Sequence, residues 1–370
     1  MDTQRIHNIK PRSHLREIHR TPPERFDRTA FLRLDKNEGI PGIPQETVEE
    51  ILSTVTPDLI SSYPQVYPLY ERLTSYLSLS EDHILITAGS DAAIKNVFEV
   101  FLRPGDGVII PEPTYAMYEI YTRLFQGNLT KVPFSSDLAL PPDQILDAVT
   151  SKTRLIALPN PNSPTGTVIP QRELEEIIRQ AGESGVLVLI DEAYYPYYPK
   201  TAVSWVNSHP NLIVTRTFSK AFGLASLRVG YAVGDPELIS SMKKFRPIYE
   251  TNGLAILFAS YLLDHPGILD ENIRRVNEGR DYLSRAAAQL GLITYPTHAN
   301  FINIRVGISS VLPLQRFLER EGILVKAGYE HPALRDCIRI TLGGVNEMKR
   351  VIEKIQDFLG KHRDRMPDHG

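Results

Sequence analysis

Short, unbroken aliphatic runs punctuate the first two thirds of the chain: "HILIT" (83–87), "GVII" (107–110), "RLIAL" (154–158), "VLVLI" (186–190), "NLIV" (211–214) and "RVGYAV" (228–233). Runs without polar alternation read as strands buried on both faces. Between two of them, "RELEEIIRQAG" sets Leu174, Ile177, Ile178 and Ala181 at i, i+3, i+4 and i+7. Ile94, Val97, Phe98 and Phe101 repeat that stripe, which predicts helices packed by one face on a sheet. Strand, amphipathic helix and strand in succession over roughly 60–250 predict an α/β domain with a mainly parallel sheet and right-handed crossovers.

After "RPIYETNGLAILFASYLLDHPG" the pattern changes to a long helical stretch, the alternating strand "CIRITL" (337–342) and a last helix ending near Gly360. This predicts three parts: an arm over 1–30, a large domain over 61–254, and a smaller α+β domain from 31–60 and 255–370. The arm is basic and holds two adjacent prolines, and the tail "KHRDRMPDHG" reads as frayed.

At 370 residues the chain exceeds the ~100–200 residues of one typical domain, so it can bury a sizeable core. Lys and Arg number 41 against 44 Asp and Glu, a net charge of -3, which argues against nucleic acid or an anionic membrane as partner and for a small molecule. The single cysteine, Cys337, leaves no internal disulfide and no thiolate metal cluster; no metal is expected. The first twenty residues are charged throughout, and no apolar run approaches the ~20 residues of a membrane span, so the expected location is the cytoplasm.

Ligands of open α/β sheets sit beyond the carboxyl ends of the strands. There, "ITAGSDAAI" turns through Gly89 into a helix opened by Ser90 and Asp91, an anion site or a plain capped turn. Tyr115 in "PEPTYAMY" offers a ring for stacking, and "LPNPNSPTG" (158–166) is a proline-stiffened loop with two asparagines. Asp191 closes an apolar strand, where a carboxylate is costly without a cationic partner, and Tyr194 follows three residues on. Lys220 and Arg228 lie in "RTFSKAFGLASLRVGYAVG" (216–234), with Thr217 and Ser219 beside them.

Taken in order, these segments resemble fold-type I pyridoxal-phosphate aminotransferases of class I/II. "LDKNEG" (34–39), "SSYP" (61–64), "PTYAMY" (113–118), "SKAFGLASLRVGY" (219–231), "HANF" (298–301) and "IRITLGG" (338–344) are most similar to the histidinol-phosphate aminotransferase subfamily. The resemblance implies a large domain with a mainly parallel seven-stranded sheet between helices, a smaller α+β domain, and pyridoxal 5'-phosphate as cofactor. It implies that Lys220 holds the cofactor covalently and then shuttles the proton at the substrate α-carbon, while Asp191 bonds the pyridine nitrogen. Tyr194 and an asparagine of the "NPNSPTG" loop, Asn162 or its neighbour Asn160, would bond the ring hydroxyl, and Tyr115 would stack on the ring. Arg228, Thr217, Ser219, Ser90 and Asp91 would hold the phosphate, with Tyr63 reaching it from the other subunit of a homodimer. Arg339 would fork onto the substrate carboxylate, with Asn37 and Lys326 also on the substrate side.

Two departures stand out. Ser163 occupies the place immediately before "PTG" where the family has asparagine, and Lys326 stands where its substrate-phosphate arginine would be. An ammonium still binds phosphate. The arm shows no counterpart of the family's tyrosine; Arg12, Arg16 and Arg20 either close over an anionic substrate or form a solvated face. The implied reaction is amino transfer between histidinol phosphate, or a related anionic amine, and a 2-oxo acid such as 2-oxoglutarate. The alternatives are another transaminase or an amino-acid decarboxylase. A transcription-regulator role is disfavoured, since no helix-turn-helix precedes residue 35.

Overall fold

The computed structural model describes residues 10–19 and 26–361. Its strands are β1 (Leu32–Leu34), β2 (Ile84–Thr87), β3 (Gly107–Glu112), β4 (Asn128–Pro133), β5 (Thr153–Pro159), β6 (Leu187–Asp191), β7 (Leu212–Thr217), β8 (Gly230–Gly234), β9 (Ile293–Thr294), β10 (Phe301–Arg305), β11 (Ile323–Val325) and β12 (Cys337–Thr341). Each aliphatic run of the sequence falls on a strand of one seven-stranded sheet, ordered β2-β8-β7-β6-β5-β3-β4. The seventh, β4, was not legible as an apolar run because it is an edge strand with mostly exposed residues.

Five neighbours, β4, β3, β5, β6 and β7, run parallel, so their carboxyl ends form one edge, with Pro159, Asp191 and Thr215 level across β5, β6 and β7. β8 is antiparallel to both β7 and β2. Its first residue, Gly230, therefore lies opposite Thr217 and Thr87, at the same edge. That reversal brings Arg228 and Gly89 to the edge where Asp191 ends β6. Both sheet faces are covered: Ile177, Ile178 and Leu174 pack on one side, and Ile94, Val97 and Phe98 on the other.

A second core gathers Leu34, Val276, Leu283, Ile302, Ile304, Ile338, Ile340, Val351 and Phe358 around the three-stranded sheet β12-β10-β9 and the pair β1-β11. The partition of apolar contacts departs from the predicted boundaries. Ile51 from helix Gln45–Ser53, and Ala255, Phe258 and Leu262 from helix Gly253–Asp264, belong to the core of the large sheet rather than the smaller one. Helix "GLAILFASYLLD" is apolar on nearly every side, so it requires burial on more than one face. The long helix Pro266–Gln289 starts in the first core at Leu269 and continues into the second at Val276 and Leu283.

The described part of the arm makes a short turn, Ser13–Glu17, against the end of helix Met117–Leu124, where the His14 ring bonds the Leu124 carbonyl at 3.2 Å. Tyr115 precedes the opposite end of that helix, so within one chain Arg12 and Arg16 stay exposed and do not close over the carboxyl edge. Arg20 lies outside the described residues. Among the described residues no helix is long and apolar enough to cross a membrane, and no cluster of His, Cys, Asp and Glu is arranged to hold a metal.

Candidate active site

Asp191 ends β6 with 4 % of its surface exposed. Its Oδ2 accepts from the Tyr118 hydroxyl at 2.8 Å and its Oδ1 from Thr215 Oγ1 at 3.2 Å. Burial pushes this carboxyl up to about 6, against the lowering effect of both bonds. Neither hydrogen-bond partner carries a positive charge, so the site favours a cation beside Asp191. Tyr118 stands one helical turn after Tyr115 in "PTYAMY"; sequence reasoning singled out Tyr115 and passed over it.

Lys220 lies three residues past the end of β7, in the loop that returns toward β8, and its Nζ donates to the Lys36 carbonyl at 2.8 Å. Burial first, then the positive charge of Arg339, pull its ammonium down to about 8. A far larger share of Lys220 than of an ordinary lysine is then a neutral amine at pH 7. Chain approach here is tight: a Cβ on Gly39 would come within 2.8 Å of Gly223 Cα and 3.0 Å of the Lys220 carbonyl, so the "LDKNEG" segment lies directly on the lysine loop.

Tyr194 Oη accepts from Asn37 Nδ2 at 2.8 Å, and Asn37 is held by Thr341, whose Oγ1 accepts from its backbone N–H at 3.0 Å. Asn37 thereby positions Tyr194, a contact that the sequence did not indicate. Arg339 shares this corner: Nη2 donates to the Asp35 carbonyl at 2.7 Å and Nη1 reaches Ser163 Oγ at 3.4 Å. Asn303 and Lys326 lie directly opposite Arg339 on the two flanking chains, so the three side chains share one face of the sheet.

Asn162 is spent on its own loop and on the neighbouring loop at Pro113 and Thr114. Its amide donates to the Pro113 carbonyl at 3.0 Å and to Thr165 Oγ1 at 2.8 Å, and its Oδ1 accepts from Thr114 Oγ1 at 2.8 Å. Ser163 instead faces Tyr194 and Arg339; burial pushes the Tyr194 phenol up, against the lowering effects of the Arg339 charge and of the bonds from Ser163 and Asn37. The expected ring-hydroxyl contact therefore fits Ser163 better than Asn162.

At the start of helix Ser90–Phe101, Gly89 has φ +86°, and a Cβ there would come within 2.6 Å of Arg228 Nη2. A Cβ on Gly230 would lie 2.6 Å from the Ser90 backbone nitrogen. Two glycines thus let the helix N-terminus, Arg228 and β8 converge. Arg228 Nη1 donates to Ser219 Oγ at 3.2 Å, and Thr217 Oγ1 accepts from the Ser219 N–H at 3.1 Å. Asp91 accepts from the Tyr115 hydroxyl at 3.2 Å, and the Tyr115 ring stands edge-on to Tyr118 at 5.7 Å. The result is an anion cradle of amides, hydroxyls and one guanidinium at the carboxyl edge where Asp191 ends β6. Tyr63 lies elsewhere: 74 % exposed, it stacks on Tyr249 at 4.2 Å on an outer surface.

The donor set fits a phosphorylated cationic heterocycle bearing an aldehyde: a cradle for phosphate, a buried carboxylate for a ring cation, a phenol and a serine for a ring oxygen, and a partly neutral amine. The family model described as aminotransferase class I and II matches residues 43–355. The chain is 32% identical over 367 residues to histidinol-phosphate aminotransferase 2 of Carboxydothermus hydrogenoformans, covering 94% of this chain and 98% of that protein. It is 33% identical over 331 residues to histidinol-phosphate aminotransferase of Dehalococcoides mccartyi, covering 89% and 90%. The crystal structure of histidinol-phosphate aminotransferase from Sinorhizobium meliloti in complex with pyridoxal-5'-phosphate superposes with a TM-score of 0.84 at 25% identity, over 94% of this chain and 97% of that one.

Proposed function

This chain belongs to the aminotransferase class I and II family, and from that premise we propose that it moves an amino group between L-histidinol phosphate, or an amine of the same anionic class, and a 2-oxo acid such as 2-oxoglutarate. It is a pyridoxal-phosphate-dependent aminotransferase. When bound, that cofactor supplies the aldehyde that takes up the amino group and the electron-poor ring that makes the substrate α-proton acidic.

The chain's own residues do the rest. The backbone N–H groups of Ser90 and Asp91, the Thr217 and Ser219 hydroxyls and Arg228 bind the phosphate. Asp191 keeps a ring cation protonated, and Tyr118 and Thr215 hold its carboxylate in place. Tyr194, braced by Asn37, and Ser163 orient the ring oxygen. Lys220, released as a neutral amine, takes the proton from the substrate α-carbon. Arg339 receives a substrate carboxylate.

The observation that carries the choice of donor is Lys326 beside Arg339 on one sheet face, two cations side by side where the substrate's far end would lie, while the amide of the adjacent Asn303 donates to the Pro164 carbonyl at 2.8 Å. Such a pair suits a dianion, and Lys326 would supply the point charge for a phosphate. The test is the absorbance of the loaded enzyme during separate additions of L-histidinol phosphate and L-glutamate without keto acid. Conversion of the cofactor band by both compounds is expected. Conversion by glutamate alone would refute histidinol phosphate as donor, and release of carbon dioxide without keto acid would refute amino transfer.

A further inference from the structure

Between Lys326 and β12 the chain makes an excursion, 327–336, whose base is closed by a pair of backbone bonds: Lys326 N–H to the Arg339 carbonyl at 3.0 Å and Arg339 N–H to the Lys326 carbonyl at 2.7 Å. The loop therefore leaves and returns beside the Arg339 side chain. Within it, the Leu334 and Arg335 N–H groups bond the His331 carbonyl, and the Cys337 N–H bonds Leu334, so the return is ordered by its own backbone. Tyr329 packs its ring into a small apolar cluster with Leu138, Leu334 and Cys337, where Leu138 comes from the segment after β4.

That packing needs a ring but no hydroxyl. Yet Tyr329 Oη is buried and has no hydrogen-bond partner among the described residues, and the same holds for Arg339 Nε. An orphaned buried donor is disfavoured unless something outside the chain satisfies it. The two donors belong to one corner, since the loop that carries Tyr329 is closed at its base by the Lys326–Arg339 backbone pair, and the Arg339 charge acts on the Tyr329 phenol.

We propose that Tyr329 is a substrate-contacting specificity residue whose hydroxyl donates to an anionic oxygen of the substrate held by Arg339 and Lys326. This inference deepens the function proposed above and rests on it. The substrate class it serves is amines carrying a phosphate monoester, or a side-chain carboxylate besides the α-carboxylate, because three donors on one side of the site exceed what a single α-carboxylate uses. Burial pushes the phenol up to about 12, so it remains an O–H donor throughout the neutral range.

The test is Tyr329→Phe, which keeps the ring in its cluster and removes the donor. For L-histidinol phosphate, kcat/KM is expected to fall about 10–100-fold, as for loss of one hydrogen bond to a charged group, with most of the change in KM. Its thermal midpoint is expected to stay equal or rise, because a buried unpaired hydroxyl is removed. An unchanged kcat/KM, or a lowered midpoint with KM unaltered, would overturn the inference and leave Tyr329 as packing only. Should the unmodified enzyme convert glutamate but not histidinol phosphate, the donor proposed above fails while Tyr329 is still decided on glutamate. A tenfold or larger fall in kcat/KM for glutamate then supports its role, and no change refutes it.

Discussion

At the scale of single residues, the chemistry of the site is set by burial acting on charge. Lys220 has a folded-state value near 8 against an ordinary lysine near 10.5, so the unfolded chain binds more protons between those limits. Stability of the cofactor-free protein should therefore rise with pH across that window, with the cost of the buried ammonium fully present below pH 8. Cofactor-free Lys220→Met is expected to be more stable than the unmodified protein by about 1–3 kcal/mol at pH 7, with the gap closing by pH 10.5, and to lose turnover by more than about a thousandfold. Denaturant unfolding at the two pH values reads the first effect and steady-state assay the second. Tyr118→Phe removes the 2.8 Å bond to Asp191 and should raise that carboxyl further above 6. Affinity for pyridoxal 5'-phosphate is then expected to fall up to about tenfold at pH 7, and by much less at pH 9 where Asp191 is ionised in both proteins. A variant-to-native ratio that does not change with pH would refute this account. Lys220, Asp191, Tyr194 and Arg228 were legible in the sequence because each follows or precedes an apolar run at a strand end. Ser163 and Tyr118 were not, since which side chain of a loop or helix turn faces inward depends on neighbours far along the chain.

At the scale of elements, the reversed strand β8 matters most. Gly230 opens it within 2.6 Å of the Ser90 nitrogen and 2.7 Å of the Arg216 carbonyl, counted from where a Cβ would stand, and both obstacles are backbone. Gly230→Ala is expected to cost about 1–3 kcal/mol by forcing β8 away from its neighbours, seen as a lowered unfolding midpoint. Gly89→Ala meets instead the movable end of Arg228, at a φ of +86°. Its expected signature is different: a modest loss of stability, about 1 kcal/mol, with a larger loss of affinity for pyridoxal 5'-phosphate as the guanidinium is displaced. Equal cofactor affinity in Gly89→Ala would argue against Arg228 as a phosphate ligand. The strands and their helices were readable because a buried parallel sheet demands continuous apolar runs. β4 escaped because an edge strand has no such demand, and the uniformly apolar surface of helix Gly253–Asp264 carries no direction that would tell which core it joins.

At the scale of the whole molecule, Ile60, Tyr63 and Tyr67 are exposed, as are Phe245, Ile248 at 80 % and Tyr249, and the stacked Tyr63–Tyr249 pair joins the two segments. Clustered exposed aromatics of this kind mark an interface. We propose a homodimer in which this surface meets a second copy and Tyr63 reaches the other cradle. Sedimentation is expected to give a dimer, and Tyr63→Ala to weaken cofactor affinity; a fully active monomer would refute both. By itself the sequence determined the alternation of buried strands and amphipathic helices, and with it the carboxyl edge on which Asp191, Lys220 and Arg228 converge, because apolar period and strand order are local and combinatorial properties. Only the tertiary structure decided that Asn162 is spent on Pro113, Thr114 and Thr165, that Asn37 braces Tyr194, and that Lys326, Arg339 and Asn303 share a face with Tyr329 nearby. Those facts depend on register between segments far apart in the chain, where a shift of one residue would turn each side chain to the opposite face.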